Sequence, residues 1–157
     1  MREERQAASK ENARLVLGAE SLARIREHLQ ASYPEEACGG LLGRVAGESV
    51  VVVEAVSLAN VRKAERRRRY LIGPKDVLGL ERRAEELGLQ VVGYYHSHPD
   101  APPVPSEFDR EHAWPWYAYL IASVENGHLT GSRAWRLTDD RARFLPLQLT
   151  EKMKPRP

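Results

Sequence analysis

The run Gln90-Val-Val-Gly-Tyr-Tyr95, leading straight into His96-Ser-His98-Pro99, constrains this chain more than any other stretch. Rich in β-branched and aromatic residues, it reads as a strand, and in a strand residues i and i+2 point to the same face. Two imidazoles then leave its end side by side, able to offer two nitrogens to one metal ion at roughly 2.0–2.1 Å. Pro99 is expected to break the strand and free both histidines from ladder pairing. The seven residues 99–105 can fold back over that end, after which Ser106-Glu-Phe-Asp109 opens a short helix. Asp109 in its first turn would complete a set of two histidines and one carboxylate. Such a set leaves a fourth tetrahedral position for water, the mark of a catalytic rather than a structural zinc site. Each piece has a plainer reading alone: Ser106-x-x-Asp109 is a capping-box variant, and a His-x-His pair is often mere surface polarity. Joined by a proline-rich spacer of this length, they point to metal, and Ser106 can cap the helix while Asp109 ligates.

The rest of the chain supplies a frame for that strand. Residues 1–14 are polar, without apolar periodicity, and are expected to form a flexible extension. A helix is predicted from Ala19 to Tyr33, with Leu22, Ile25 and Leu29 at helical spacing, ended by Pro34. Leu41-Leu42 predicts a short strand, and the Val-rich segment Ser49–Leu58 a strand buried on both faces. After a basic connection, Tyr70–Ile72 reads as another short strand. Pro74 suits the first position of a second helix with the stripe Val77, Leu80, Ala84 and Leu87, closed by Gly88. A helix from Ser106 to before Pro115, a strand over Trp116–Val124, a hairpin turn at Asn126-Gly127 and strands near 132–137 and 142–149 follow. This order predicts one mixed α/β sheet domain over residues 15–150, with 151–157 as a tail.

Composition narrows the classes. Charged residues are 29% and hydrophobic ones 42%, an ordinary globular mix, and 24 Lys and Arg against 22 Asp and Glu leave a net charge of +2. That balance does not argue for nucleic acid. Cys38 is the lone cysteine, so no internal disulfide forms. The charged start lacks the apolar core of a signal peptide, and no run approaches a membrane span. A soluble cytoplasmic protein is the expectation, with neither nucleic acid nor membrane as partner.

The string His96-Ser-His-Pro-Asp-Ala-Pro-Pro-Val-Pro-Ser-Glu-Phe-Asp109, with Pro34-Glu-Glu-Ala-Cys-Gly-Gly-Leu-Leu-Gly43 upstream, closely resembles the JAMM/MPN+ (JAB-type) zinc metallopeptidases. The family motif is a distant Glu, then His-Ser/Thr-His-Pro, a spacer and Ser-x-x-Asp. The resemblance extends from about Leu15 to Leu149. It implies a central curved mixed β-sheet flanked by helices in a cytidine-deaminase-like arrangement, and one zinc ion held by His96, His98 and Asp109. It aligns the catalytic glutamate with Glu36, Glu35 being the alternative register, and gives the Ser106 hydroxyl the task of stabilising an oxyanion. Zinc would acidify a water molecule and Glu36 would carry its proton to the leaving amine. The family cuts amide or isopeptide bonds after the Gly-Gly tails of ubiquitin-like proteins. The short length and the Arg110-Glu-His-Ala-Trp-Pro-Trp-Tyr117 stretch are similar to the bacterial stand-alone branch, which processes ubiquitin-like sulfur carriers, including release of cysteine from a carrier's C-terminus. One departure is Gly39-Gly40, where relatives often place a bulkier second residue. A non-catalytic MPN scaffold, and a nuclease using the basic run, are the competing readings.

Other residues carry weaker signals. Cys38 reads as a packing residue rather than a nucleophile. His112 lies one turn after Asp109 and is expected on the helix surface, not as a fourth ligand; His28 and His128 read as structural or solvated. Trp114-Pro-Trp116-Tyr117 reads as core packing, with a substrate-side wall as the lesser reading. Lys63–Arg69 reads as a solvated basic loop whose best functional use is docking an acidic partner.

Overall fold

The computed structural model describes residues 13–152; most of the expected N-terminal extension and of the C-terminal tail lies outside them. Seven strands and three helices follow in the order β1 (Arg14–Gly18), α1 (Ala19–Ser32), β2 (Cys38–Ala46), β3 (Ser49–Leu58), α2 (Pro74–Glu86), β4 (Gln90–Pro99), α3 (Glu107–His112), β5 (Ala118–Glu125), β6 (His128–Leu137) and β7 (Phe144–Lys152). The strands close into a barrel in the order β1-β3-β2-β4-β5-β6-β7. β1 joins β3 and β7 in parallel, β4 joins β5 in parallel, and the remaining pairs are antiparallel. The mixed α/β domain is therefore as expected, and its sheet curves far enough to close.

Two apolar layers cover the sheet. Leu15, Leu41, Val52, Tyr95, Leu120 and Val124 form the main core, into which α1 inserts Ile25 and Leu29. On the other side Leu80 and Ala84 of α2 pack with Leu42, Tyr94 and Tyr119. The twin glycines of β2 serve this packing. A methyl group on Gly39 would lie 2.1 Å from the Tyr95 ring, and one on Gly40 would lie 2.3 Å from Leu80. A side chain at Gly39 would require the Tyr95 ring to shift, and one at Gly40 would displace the Leu80 methyls that α2 lays on β2.

Four expectations need correction. β1, with Leu15 and Leu17 fully buried, is a strand for which the sequence reading has no element, and its first residue, Arg14, falls in the expected extension; an apolar run of three residues is too short a pattern to stand out. β3 is fully buried on one face only: Val50, Val52 and Ala55 enter the main core, Val56 and Leu58 are partly buried against the Leu80 layer, and Val53 is exposed where the β2–β3 register shifts and skips it. Tyr70–Ile72 is irregular and joins no sheet; Leu71 instead binds Asn60 and Val61. β4 runs through Pro99, so His96 pairs with Cys38 and Ile121, and His98 with Ser123. The proline does not release the histidines from the ladder, because Pro99 itself occupies the last register position opposite Val124.

Candidate metal centre

β4 changes character halfway along. Its residues to Tyr95 feed the two apolar layers, and then His96 and His98, on one face, turn buried imidazoles toward α3. Opposite them Ser97 faces inward and ties the preceding turn: its hydroxyl accepts the Ala37 N–H at 3.0 Å, and its own N–H donates to the Ala37 carbonyl at 3.0 Å.

α3 brings the carboxylate. Ser106 accepts the Asp109 N–H at 3.1 Å while the Ser106 N–H donates to Asp109 Oδ2 at 2.9 Å, a complete capping box. The cap thus fixes the Asp109 side chain as well as the helix. One Asp109 oxygen lies 3.1 Å from His98 Nε2 and the other 3.3 Å from His96 Nε2, with the two Nε2 atoms 3.2 Å apart. Ligand atoms of all three residues fall within 4.8 Å of one another, and all three are buried.

The donor set suits a divalent cation. His98 Nδ1 lies 2.9 Å from the Pro102 carbonyl, so it carries the proton, and its neutral form presents a lone pair at Nε2. A carboxylate and two imidazole nitrogens converge, buried, with more acceptors than protons to share. Burial lowers the pKa of His96, favouring the neutral ligand form. Burial also opposes charge on His98, but its bonds to Asp109 and the Pro102 carbonyl outweigh that and raise its pKa. Burial works against the Asp109 carboxylate too, yet the two histidines and the Ser106 N–H hold its pKa far below the ordinary range.

Glu36 and Glu35 part company. Glu35 is exposed, whereas Glu36 is 5% exposed with Oε2 lacking any hydrogen-bond partner. Burial pushes the Glu36 carboxyl up to about 8, His98 pulls it down and Asp109 pushes it up, so the group senses the cluster directly. His96 Nδ1 is a second buried atom without a partner.

Other residues around the cluster differ in how far the sequence anticipates them. Tyr70 stacks on the His96 ring at 4.6 Å between centroids. Only its aromatic character could have flagged it, since the intervening chain is irregular. Trp114 and Trp116 are not core: they are 51% and 64% exposed and stack on each other at 5.4 Å. Pro115 stands between them, so they leave the sheet before β5 begins. With Tyr70, Ile72, Phe108 and Tyr117 they line a cavity of about 390 Å³ that reaches Asp109. His112 is exposed, stacks on Phe108 and places Nδ1 2.8 Å from the Phe108 carbonyl, away from the cluster. His28 binds the Tyr95 hydroxyl, and His128 is exposed. Cys38 is fully buried and burial raises its thiol to about 12, which disqualifies it as a nucleophile at neutral pH. The basic run is less free than it reads: Arg62 and Arg69 pair with Glu65, and both lie over the Phe108 ring, at 5.2 and 4.2 Å.

No helix among the described residues is long and apolar enough to cross a membrane. Comparison with known proteins agrees with the geometry. A family model described as prokaryotic homologs of the JAB domain matches residues 18–138. A protein named desampylase, from Haloferax volcanii, is 40% identical over 124 residues, covering 76% of this chain and 86% of its own. Among solved structures, a Desulfitobacterium hafniense protein superposes with a TM-score of 0.78 at 25% identity, covering 89% of this chain and 94% of that one. A Salinibacter ruber protein superposes at 0.68 with 37% identity, covering 87% and 91%.

Proposed function

The chain belongs to the prokaryotic homologs of the JAB domain, and from that membership we propose a zinc-dependent hydrolase that cuts the amide or isopeptide bond after a ubiquitin-like protein's C-terminal Gly-Gly. A sulfur carrier bearing cysteine is the substrate best suited to so compact a domain. The observation that carries this reading is the buried convergence of His96, His98 and Asp109 with Glu36 beside it. Kinship with a protein named desampylase supports it.

Zinc held by His96, His98 and Asp109 would polarise the scissile carbonyl and acidify a water molecule. Glu36 takes the proton of the attacking water and delivers it to the departing amine; burial has lifted its carboxyl to about 8, so it can hold that proton near neutral pH. Ser106 uses its oxygen to accept the Asp109 N–H, which leaves its hydroxyl proton to meet the developing oxyanion. The fixed capping box means that donor is placed before substrate arrives. Because the barrel closes, a Gly-Gly tail finds no unpaired sheet edge among the described residues. Segment 70–72 takes that part: Leu71 is held by Asn60 and Val61, and Tyr70, Leu71 and Ile72 line the aromatic cavity beside which a tail would lie.

Mass spectrometry of a carrier C-terminus tests this. The zinc-loaded protein should remove a cysteine joined after Gly-Gly, and a chelator should stop it. Intact carriers, cysteine adducts and ubiquitin chains alike after incubation would leave the non-catalytic scaffold as the reading.

A further inference from the structure

We infer that Asn60 is a positioning residue, locking the turn that carries Glu36 to the loop that walls the aromatic cavity; this rests on Glu36 being the base. Asn60 lies half-buried just after β3, and its side-chain amide uses every bond it can make. Nδ2 donates to the Glu36 carbonyl at 3.0 Å and to the Arg69 carbonyl at 3.1 Å. Oδ1 accepts the Arg62 and Leu71 N–H groups, each at 3.1 Å. The Arg62 bond is an ordinary local turn contact. The other three are tertiary, joining a residue 24 positions back to residues 9 and 11 positions ahead.

The turn at Glu36 has few other anchors. Its N–H donates to the Arg66 carbonyl, in the same loop, and Ala37 is held by Ser97 of β4. Asn60 therefore fixes both the turn and the far root of the loop, from which Tyr70 reaches His96 and Arg69 covers Phe108. One amide thereby couples the proton carrier to the surface that seats the tail. Removing it frees each to move independently of the other, while His96, His98 and Asp109 stay in place, because none of their described bonds involves Asn60.

Two variants separate the halves of this role. Asn60→Asp keeps the shape and the two accepted bonds but turns the two donations into repulsions. Asn60→Ala removes all four. In the zinc-loaded full chain, hydrogen exchange at the Glu36 amide should speed up about tenfold or more in both, and at the Leu71 amide only in Asn60→Ala. Zinc content should stay at the wild-type level. With a Gly-Gly carrier joined to cysteine as substrate, Asn60→Asp should lose about tenfold in kcat with KM little changed, and Asn60→Ala should also raise KM. Wild-type exchange at Glu36 in both variants, or zinc lost from both, overturns the inference. If the wild-type chain cleaves nothing, the hydrolase reading fails while exchange still decides whether Asn60 holds the turn.

Discussion

The metal cluster and the segment around Glu36 are built differently, though they meet in one site. His96 is paired to strands on both sides and His98 to β5, and Asp109 is locked by a capping box. Glu36 and the loop 60–72 belong to no strand or helix and are held by side-chain amides, isolated backbone bonds and ring contacts. On the proposed reading, the groups that would hold a metal in fixed geometry are on the ladder and capped helix, and the groups assigned a proton and a substrate chain are on the irregular side. Ladder hydrogen bonds cooperate with their neighbours, whereas a loop bond yields alone.

The contrast breaks most sharply in His98→Ala. This variant should lose metal and turnover together, by at least about a thousandfold in kcat/KM, with the metal read by elemental analysis. Glu36→Gln should instead keep its metal and lose roughly 10²–10⁴-fold in kcat. Retained turnover there would remove Glu36 from the base role.

Ser106→Ala straddles the two regions. It should cost about 1 kcal/mol through the lost cap, read from denaturant midpoints, and about 10²-fold in kcat through the lost oxyanion donor. Losing only the stability would assign Ser106 to the helix alone.

A smaller effect appears without metal, and its sign is the sharper test. Burial raises the Glu36 carboxyl from 4.5 to about 8, so the folded chain binds more protons than the unfolded chain across that window. Stability contributed by the neutral form is present below about pH 4.5 and is lost as pH rises toward 8. Metal-free Glu36→Gln should therefore match wild type near pH 4.5 and exceed it at pH 8, by an amount on the order of a few kcal/mol. An equal melting temperature for the two at pH 8 would show that the carboxyl is hydrated.

The rigid region was also the legible one. His-x-His at a strand end and Ser-x-x-Asp at a helix start are periodic patterns, so the sequence places those side chains on known faces. Helix α1, strand β3 and the Asn126-Gly127 hairpin turn could be read for the same reason. Tyr70 and Asn60 could not. Their positions depend on an irregular chain whose path is set by tertiary bonds, and no periodicity records those. Trp114 and Trp116 misled in the opposite direction: hydrophobic character predicts burial, yet here it lines a cavity open to solvent. Closure of the barrel rests on β1 meeting β7, a pairing between opposite ends of the domain that no local pattern encodes.

X-ray absorption at the zinc edge, on the chain loaded with one equivalent, tests the shared premise most directly. Two imidazole nitrogens, carboxylate oxygen and one exchangeable solvent oxygen are expected around the ion, with zinc uptake lost in His98→Ala. A sulfur scatterer from Cys38, or a third imidazole closing the coordination sphere, would contradict an open hydrolytic centre at the end of β4.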